Sequence, residues 1–350
     1  LMEKGNLDYI IFECLAERTI AIGQQDKMKD PTKGYNQLLE ARMRKILKLA
    51  KDNHIKVITN MGAANPVAAA EKTAEIAKEL GVSGLKIAYV IGDDITPQIE
   101  KYYDNDVLEL DCKLGDIKES ILSTNVYLGA EGIIEALENG ADIVITGRVS
   151  DPALSIGPLV HEFGWNIKDD ADKMGQATLV GHLLECAGQV TGGYYADPGY
   201  KDVPDLDRLG FPLIEIDETG KFVVTKVEGS GGLVCEDTCK EQMIYEIHNP
   251  ERYLTPDTVA DFSHVTFTQV GKDRVEAAHA TSHGKPETLK VSVGYKDCFI
   301  GEGEISYGGM NCMNRAKLAA KSVPEKLVFP RHVLSSKLPS TAIMLSKSTH

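Results

Sequence analysis

The chain has 350 residues, a formal net charge of −14 and 43% hydrophobic residues, which is the composition of an ordinary globular protein. Its 38 basic and 52 acidic side chains argue against a nucleic-acid-binding protein, because an acidic surface repels polyanions. A membrane-spanning protein is not predicted either, since no run of about 18 apolar residues occurs. The length predicts two domains, or one core with a large addition.

The first half of the chain alternates between strand-like and helix-like patterns, and this alternation predicts βα units. Such units build an α/β fold whose parallel sheet has helices on both faces and the carboxyl ends of its strands at one edge. Ligands bind at that edge in open α/β sheets. The predicted strands are Asp8–Phe12, Ile55–Thr59, Leu85–Ile91 and Asp142–Thr146, and the predicted helices include Tyr35–Asp52 and Val67–Leu80, the latter preceded by Asn65-Pro66.

Polar residues and glycines follow each predicted strand. Turn chemistry explains any one of these segments, so a row of solvated turns is the alternative to a shared site. We predict that the residues after the four strands, Glu13, Asn60, Asp93 and Arg148, cluster at one edge of the sheet. The candidates at this edge are Glu13, Arg148 and Asp151 for catalysis, and Glu17, Asn60, Gly62, Asn65, Asp93, Thr146 and Gly147 for substrate binding.

Residues 176–193 predict a helix that is ended by Thr191-Gly192-Gly193 and that carries His182, Glu185, Cys186 and Gln189 on one stripe. The alternative is that this stripe is a solvated face. A His beside a carboxylate is a common acid/base pair, because the carboxylate fixes the imidazole tautomer. A metal ion would need a third ligand, such as Asp151, and a helical Cys is more often inert than nucleophilic. The candidates here are His182 and Glu185 for catalysis, and Gln189, Thr191, Gly192 and Gly193 for substrate binding.

The motifs of common cofactor sites are missing from the sequence. Neither a P-loop nor a G-x-G-x-x-G fingerprint after a strand occurs, which disfavours nucleotide and NAD chemistry. No metal site is predicted, since Cys235 and Cys239 lack a second ligand pair at zinc-finger spacing, and the cofactor is left open. Seven scattered cysteines without a signal peptide predict a cytoplasmic protein.

The second half of the chain changes to strand pairs that are separated by short turns. These pairs predict an antiparallel, β-rich α+β lobe, which Leu289–Val293 continues. The predicted domains are an α/β domain over residues 1–200 that carries the site, a β-rich lobe over 201–323, and a flexible tail over 324–350. The predicted hairpin strands are Phe211–Ile216 with Lys221–Val227, and Val265–Val270 with Arg274–Ala278.

Several ordered motifs together resemble the acyclic terpene utilisation (AtuA) family over roughly residues 5–320. The motifs are DYIIFECLAERT, ITNMGAANP, GDD, ITGRVSDPAL, GHLLECAGQVTGGYYADPGYKDVPDL and LKVSVGY. The resemblance implies a soluble, bacterial-type protein that helps to break down citronellol- and geraniol-type acids through their CoA thioesters. Family members usually begin with a strand and a glycine-rich segment before the equivalent of Asp8, and this chain opens at Leu1 without them.

Two functional hypotheses remain open. The first is an enzyme of acyclic terpenoid or branched-chain acyl-CoA catabolism with hydratase- or lyase-type proton transfer, in which His182 and Glu185 are the acid/base pair and Arg148 binds a carboxylate. It predicts that His182→Ala lowers turnover by about two to four orders of magnitude. The second is a non-catalytic acyl-CoA-binding or partner subunit. Both imply a small-molecule thioester ligand, with no nucleic acid or membrane and with self-association left open.

Overall fold

The computed structural model describes residues 1–297 and 305–326. Residues 1–296 form one compact unit, and a second unit begins at Asp297. The strands are β1 (Tyr9–Phe12), β2 (Lys56–Thr59), β3 (Ile87–Val90), β4 (Ile121–Val126), β5 (Ile143–Thr146), β6 (Pro212–Ile216), β7 (Phe222–Lys226), β8 (Tyr253–Leu254), β9 (Val259–Asp261), β10 (Thr266–Gly271), β11 (Arg274–Ala278), β12 (Thr281–Ser282) and β13 (Val291–Tyr295). The α-helices are α1 (Glu17–Lys29), α2 (Leu39–Asp52), α3 (Pro66–Glu79), α4 (Glu131–Glu138), α5 (Ala153–Phe163), α6 (Ala171–Leu184), α7 (Glu236–Met243) and α8 (Cys312–Lys326).

The first half of the chain folds around a parallel sheet with the strand order β1-β2-β5-β3. Neighbouring strands in this sheet run parallel throughout. Alternate side chains of one strand point to opposite faces, and accordingly Val57 packs with residues of α2 and α3 while Ile58 packs with residues of α4 and α5. The predicted α/β fold, with helices on both faces of a parallel sheet, is confirmed.

The start of α3 shows how local sequence sets an element boundary. Asn65 caps this helix, since its side chain accepts a hydrogen bond from the backbone N–H of Ala68 at 3.3 Å. Pro66 follows at the first helical position, where its missing N–H costs no hydrogen bond. Gly81, with a φ of +67°, follows the end of the helix. The predicted boundaries of this helix are therefore confirmed within one or two residues.

The second half contains antiparallel sheets, as predicted. The larger sheet has the order β10-β11-β7-β6 and includes both predicted hairpins, and a smaller sheet has the order β12-β9-β8. Helix α6 covers the larger sheet, because Leu179 and Leu183 share a buried apolar cluster with Phe222 and Val275. This helix therefore joins the core of the antiparallel part to the parallel part that precedes it.

Strand β13 departs from the expectation that Leu289–Val293 continues the antiparallel lobe. It pairs antiparallel with β4 in the first half of the chain, with Val291 opposite Val126. Sequence periodicity identifies a strand but not its partner, which depends on long-range packing. The pairing brings the segment just before β13 to the edge at which the site is predicted.

The predicted domain boundary at residue 200 stays a prediction, because both kinds of sheet lie within residues 1–296. Of the predicted tail, residues 324–326 belong to α8, and residues 327–350 lie outside the described residues. None of the helices in residues 1–297 and 305–326 has both the length and the apolar content that crossing a membrane requires.

Candidate functional site

The carboxyl ends of the parallel strands meet at one edge of the sheet, and the four predicted residues lie there. Asn60, which follows β2, accepts a hydrogen bond from the backbone N–H of Cys14 at 2.7 Å and donates to Glu13 Oε1 at 3.3 Å. Asp93, which follows β3, accepts from the backbone N–H of Arg148 at 3.0 Å. The predicted clustering of Glu13, Asn60, Asp93 and Arg148 is confirmed, whereas their roles stay predictions.

Several of the predicted binding residues at this edge pack the loops against each other. A Cβ atom on Gly62 would lie 2.4 Å from the carbonyl oxygen of Thr146, and one on Gly147 would lie 2.8 Å from either carboxylate oxygen of Asp93. Thr146 is fully buried and donates to the carbonyl of Gly147 at 3.0 Å. Asn65 donates to two backbone carbonyls besides capping α3. These residues hold the loops close together.

Asp93 is a buried anchor for the loop after β5. Besides the backbone N–H of Arg148, its Oδ2 accepts a hydrogen bond from Asn125 at 2.9 Å. Burial raises the pKa of Asp93, and these two hydrogen bonds oppose the rise. Asp93 therefore fixes the backbone of the loop from which Arg148 and Asp151 project.

The guanidinium group of Arg148 is only 1% exposed, and each of its three nitrogens donates to a protein oxygen. Its Nε and one terminal nitrogen donate to the Val149 carbonyl at 2.8 and 2.6 Å, and the other terminal nitrogen donates to the Leu15 carbonyl at 2.8 Å. The guanidinium also lies 4.5 Å from the centre of the Tyr127 ring. Its remaining strong contact is an ion pair with Asp151 at 2.7 Å. Arg148 therefore positions Asp151 and is not free to bind a substrate carboxylate as predicted.

The second group of candidates starts on α6, but this helix ends at Leu184. Cys186 and Ala187 take left-handed backbone conformations, with φ of 55° and 49°, that an α-helix cannot include. The predicted helix over residues 176–193 is therefore wrong beyond Leu184. Gln189 lies in a short 3-10 helix, so it does not continue the predicted stripe.

Apart from Cys186, this group is not a solvated face. His182, Glu185 and Gln189 are 1%, 8% and 7% exposed. The Nε2 atom of His182 donates to the carbonyl of Met243 at 3.1 Å. Its Nδ1 atom lies 2.8 Å from Glu185 Oε1, but this oxygen lies outside the direction needed for a hydrogen bond. The predicted His182–Glu185 contact is thus present as a close buried pair.

Aromatic rings enclose the imidazole of His182. The ring centres of Tyr253 and Phe262 lie 5.3 and 6.1 Å from the centre of the imidazole. A general base must come within hydrogen-bond reach of the proton that it removes. Because one nitrogen of His182 donates to a backbone carbonyl and the side chain is only 1% exposed, His182 is poorly placed to meet a substrate.

Asp151 brings the two groups of candidates together. Its side chain is 31% exposed, so it can be reached from solvent. Burial raises the pKa of Asp151 to about 7; Arg148 opposes the rise, and the negative charges of Glu13 and Glu185 add to it. The loop after β5 and the end of α6 lie against each other, since a Cβ atom on Gly181 would lie 2.5 Å from the Cα atom of Pro152. The three carboxyl groups are therefore near enough to interact.

Cys186 lies beside the same carboxylates and is exposed. Partial burial and the neighbouring charges of Glu185 and Glu13 raise the pKa of its thiol to about 12. The thiol is therefore protonated at neutral pH, which disfavours a nucleophilic role. The expectation that Cys186 is not the nucleophile agrees with this environment.

The remaining binding candidates, Thr191, Gly192 and Gly193, join two loops. Thr191 is fully buried, and its hydroxyl donates to the carbonyl of Gly210 at 2.6 Å. Gly192 has a φ of +102°, which favours glycine, and the backbone N–H of Gly193 donates to the carbonyl of Gly188 at 2.9 Å. These contacts show a structural role, and a binding role stays a prediction.

Sequence reasoning missed Tyr127 and Lys290. The Tyr127 hydroxyl donates to Glu17 Oε1, at the first residue of α1, and Lys290 Nζ lies 3.4 Å from the same oxygen. The ammonium group of Lys290 also lies 4.7 Å from the centre of the Tyr127 ring, which Arg148 contacts too. The strand-like residues of β4 end just before Tyr127, and this pattern was the signal in the sequence that could have identified Tyr127 as a residue at a strand end.

Asp257 is a further residue of this region that the sequence analysis did not identify. It is fully buried in the turn between β8 and β9, and its Oδ1 accepts a hydrogen bond from the backbone N–H of Ala130 at 2.8 Å. Burial raises the pKa of Asp257 to about 6. The adjoining Leu128 exchanges backbone hydrogen bonds with Arg148 and Ser150. Asp257 therefore supports the segment against which the Arg148 loop is held.

Two hollows lie elsewhere on the surface of the residues that the structure describes. A hollow of about 480 Å³ lies between β3 and α4, and one of about 730 Å³ lies beside α6 and β11. None of the candidate residues lines either hollow. Within residues 1–297 and 305–326, no three His, Cys, Asp or Glu side chains are grouped so as to hold a metal ion.

Comparisons with known proteins place the chain in a family. No match was found among curated proteins or among solved structures. The model of the acyclic terpene utilisation family protein AtuA matches residues 1–345. Because this match spans almost the whole chain, the protein belongs to the acyclic terpene utilisation family AtuA.

Proposed function

We propose that this chain catalyses proton transfer on the CoA thioester of an acyclic terpenoid or branched-chain acid, in a reaction of hydratase or lyase type. The family supports a role in acyclic terpene utilisation. The observation that carries the chemistry is the partly exposed carboxyl group of Asp151, whose pKa burial raises to about 7 at the carboxyl edge of a parallel sheet. The proposed location is the cytoplasm, where such thioesters would be metabolised.

A carboxyl group with a pKa near 7 is suited to move a proton at neutral pH, because both of its protonation states are well populated. Removal of a proton from the carbon next to a thioester carbonyl needs such an acceptor. Addition of water to a conjugated double bond needs a group that accepts one proton and returns another. Asp151 would serve in either reaction, because burial raises its pKa and the charges of Glu13 and Glu185 add to the rise.

The proposal changes the roles of the predicted acid/base pair. His182 is 1% exposed and donates to the carbonyl of Met243, so it has a structural role beside Glu185 and does not meet the substrate. Arg148 holds the Asp151 carboxyl in the ion pair of 2.7 Å and keeps it from turning away. The proton carrier is therefore Asp151, on the loop after β5.

The test is exchange of deuterium into a substrate carbon. The wild-type protein is incubated in D2O with citronellol- and geraniol-type acyl-CoA thioesters, and mass spectrometry follows deuterium at the carbon next to the carbonyl. We expect exchange by the wild type and a loss of about two to four orders of magnitude in Asp151→Asn. The control is Asp94→Asn, at an exposed carboxylate that follows the same strand as Asp93. No exchange by the wild type, or full exchange by Asp151→Asn, would overturn the proposal.

A non-catalytic acyl-CoA-binding subunit is the second candidate. The observation that favours it is that Arg148 and His182, two of the predicted catalytic side chains, are each 1% exposed and bonded to protein groups. This candidate predicts that the wild type and Asp151→Asn bind the thioester equally and that neither exchanges deuterium. Calorimetric titration with the same thioesters separates the two functions.

A further inference from the structure

We propose that Lys290 binds an anionic group of the substrate, either a carboxylate or a phosphate, at the carboxyl edge of the parallel sheet. The inference rests on the proposed function only in placing a substrate at this edge. It adds a binding residue that the sequence analysis did not predict. It follows from a comparison of two cations at this edge, one enclosed by the protein and one exposed to solvent.

A substrate anion at this edge needs a cation other than Arg148. Every guanidinium nitrogen of Arg148 donates to a protein oxygen, and the side chain is 1% exposed. The neighbouring Glu13, Asp151 and Glu185 are carboxyl groups and would repel an anion. An anionic ligand would therefore be bound only where a second cation offsets this repulsion.

Lys290 is such a cation. Its side chain is 60% exposed, and its ammonium group lies 4.7 Å from the centre of the Tyr127 ring, which the Arg148 guanidinium approaches to 4.5 Å. The two cations thus contact the same aromatic side chain. Lys290 presents its charge to solvent, whereas Arg148 is enclosed.

The protein holds Lys290 in place without using all of its hydrogen-bonding capacity. The Lys290 carbonyl accepts a hydrogen bond from the backbone N–H of Tyr127 at 2.9 Å, immediately before the pairing of β13 with β4. The ammonium group has a long contact of 3.4 Å with Glu17, and an ammonium group has three donors. Glu17 is 57% exposed, so an incoming anion can share or replace this contact.

The chemistry of an ammonium group suits compact anionic oxygens. A lysine acts as a mobile point charge and binds a carboxylate or a phosphate without the fixed fork geometry of arginine. A thioester substrate could offer a phosphate of its CoA part, and an acyl group with a second acid function could offer a carboxylate. These two sources share one chemistry and are separated by the choice of probe.

The experiment measures the binding of two probes by calorimetric titration to the full chain. Free CoA supplies phosphates without an acyl group, and 3-methylglutarate supplies carboxylates without CoA. We expect Lys290→Gln to weaken the binding of at least one probe about tenfold, and Lys290→Arg to retain most of it. Weakening for CoA alone identifies a phosphate subsite, and weakening for 3-methylglutarate alone identifies a carboxylate subsite.

Two further variants make the test specific. Lys285→Gln is the matched control, because Lys285 is exposed and pairs with Glu131 at 2.7 Å on the same approach to β13, and it should leave both affinities unchanged. Glu17→Gln removes the competing carboxylate and should strengthen binding of the probe that Lys290→Gln weakens. Circular dichroism confirms that each variant is folded.

Two results would overturn the inference: equal affinities of the wild type and folded Lys290→Gln for both probes, or no binding of either probe by the wild type. The deuterium-exchange test of Asp151→Asn is read separately. Exchange that depends on Asp151, together with unchanged probe affinities in Lys290→Gln, would reject the role of Lys290 and leave the proposed function standing.

Discussion

The raised pKa of Asp151 predicts a pH dependence of stability that Asp151→Asn removes. The pKa of this carboxyl is about 7 in the folded protein against an ordinary value of 3.8, mainly because of burial. The folded chain therefore binds the proton more tightly than the unfolded chain. The resulting contribution to the free energy of unfolding is fully present below about pH 4, and it is lost as the pH rises through about 7.

The size of this contribution follows from the shift. A difference of roughly three pKa units corresponds to about 4 kcal/mol, since each unit is about 1.4 kcal/mol. Because the side chain is 31% exposed, solvent screening reduces the expected value to about 2 kcal/mol. Wild-type stability should therefore fall relative to that of Asp151→Asn by about 2 kcal/mol between pH 4 and pH 8.

Urea unfolding of both proteins at several pH values between 4 and 8 measures this difference. Asp257, whose pKa burial raises to about 6, contributes a dependence of the same sign in both proteins, so it cancels in the comparison. Loss of the ion pair with Arg148 also changes the stability of Asp151→Asn. The effect of Asp151 titration is therefore read from the change of stability with pH and not from the stability at a single pH. Equal pH slopes for the two proteins would refute the reasoning.

Three further predictions test the surroundings of Asp151. Glu185→Gln removes a charge that raises the pKa of Asp151, so the titration midpoint should fall by about half to one pH unit; an unchanged midpoint would contradict the proximity of the two groups. His182→Ala empties a buried, ring-lined position and should lower the free energy of unfolding by about 3 kcal/mol, measured by urea denaturation. The rate of deuterium exchange into the thioester per folded molecule should be only partly reduced in His182→Ala. Complete loss of this exchange would indicate that His182 is the proton carrier. Gly62→Ala places a Cβ 2.4 Å from the Thr146 carbonyl and should cost about 1–3 kcal/mol in the same assay, whereas Gly308→Ala, with open space around the new atom, should be neutral.

The edge of the sheet could be predicted from sequence because strand periodicity and turn chemistry are local signals. The apolar run of β5 followed by Thr146 and Gly147 marks both a buried strand and its end. Once the βα alternation predicts a parallel sheet, every strand end must meet at one edge. The placement of Arg148 and Asp151 there needs no further information.

The arrangement of partners at this edge could not be predicted in the same way. The helix break at Cys186 and Ala187 uses left-handed conformations that neither side chain favours, so it depends on tertiary packing. Lys290 reaches Tyr127 only because β13 pairs with β4, and strand pairing between distant segments leaves no periodic trace in the sequence. The burial that sets the pKa of Asp151 likewise depends on the assembled loops.

The most direct test of the account is a carbon-13 NMR titration of the Asp151 carboxyl group, assigned by comparison with Asp151→Asn. The account predicts a midpoint near pH 7, because burial and the charges of Glu13 and Glu185 outweigh the ion pair with Arg148. A midpoint near the ordinary aspartate value of 3.8 would show that the carboxyl group is ionised throughout the neutral range, and it would contradict the role of Asp151 as the proton carrier.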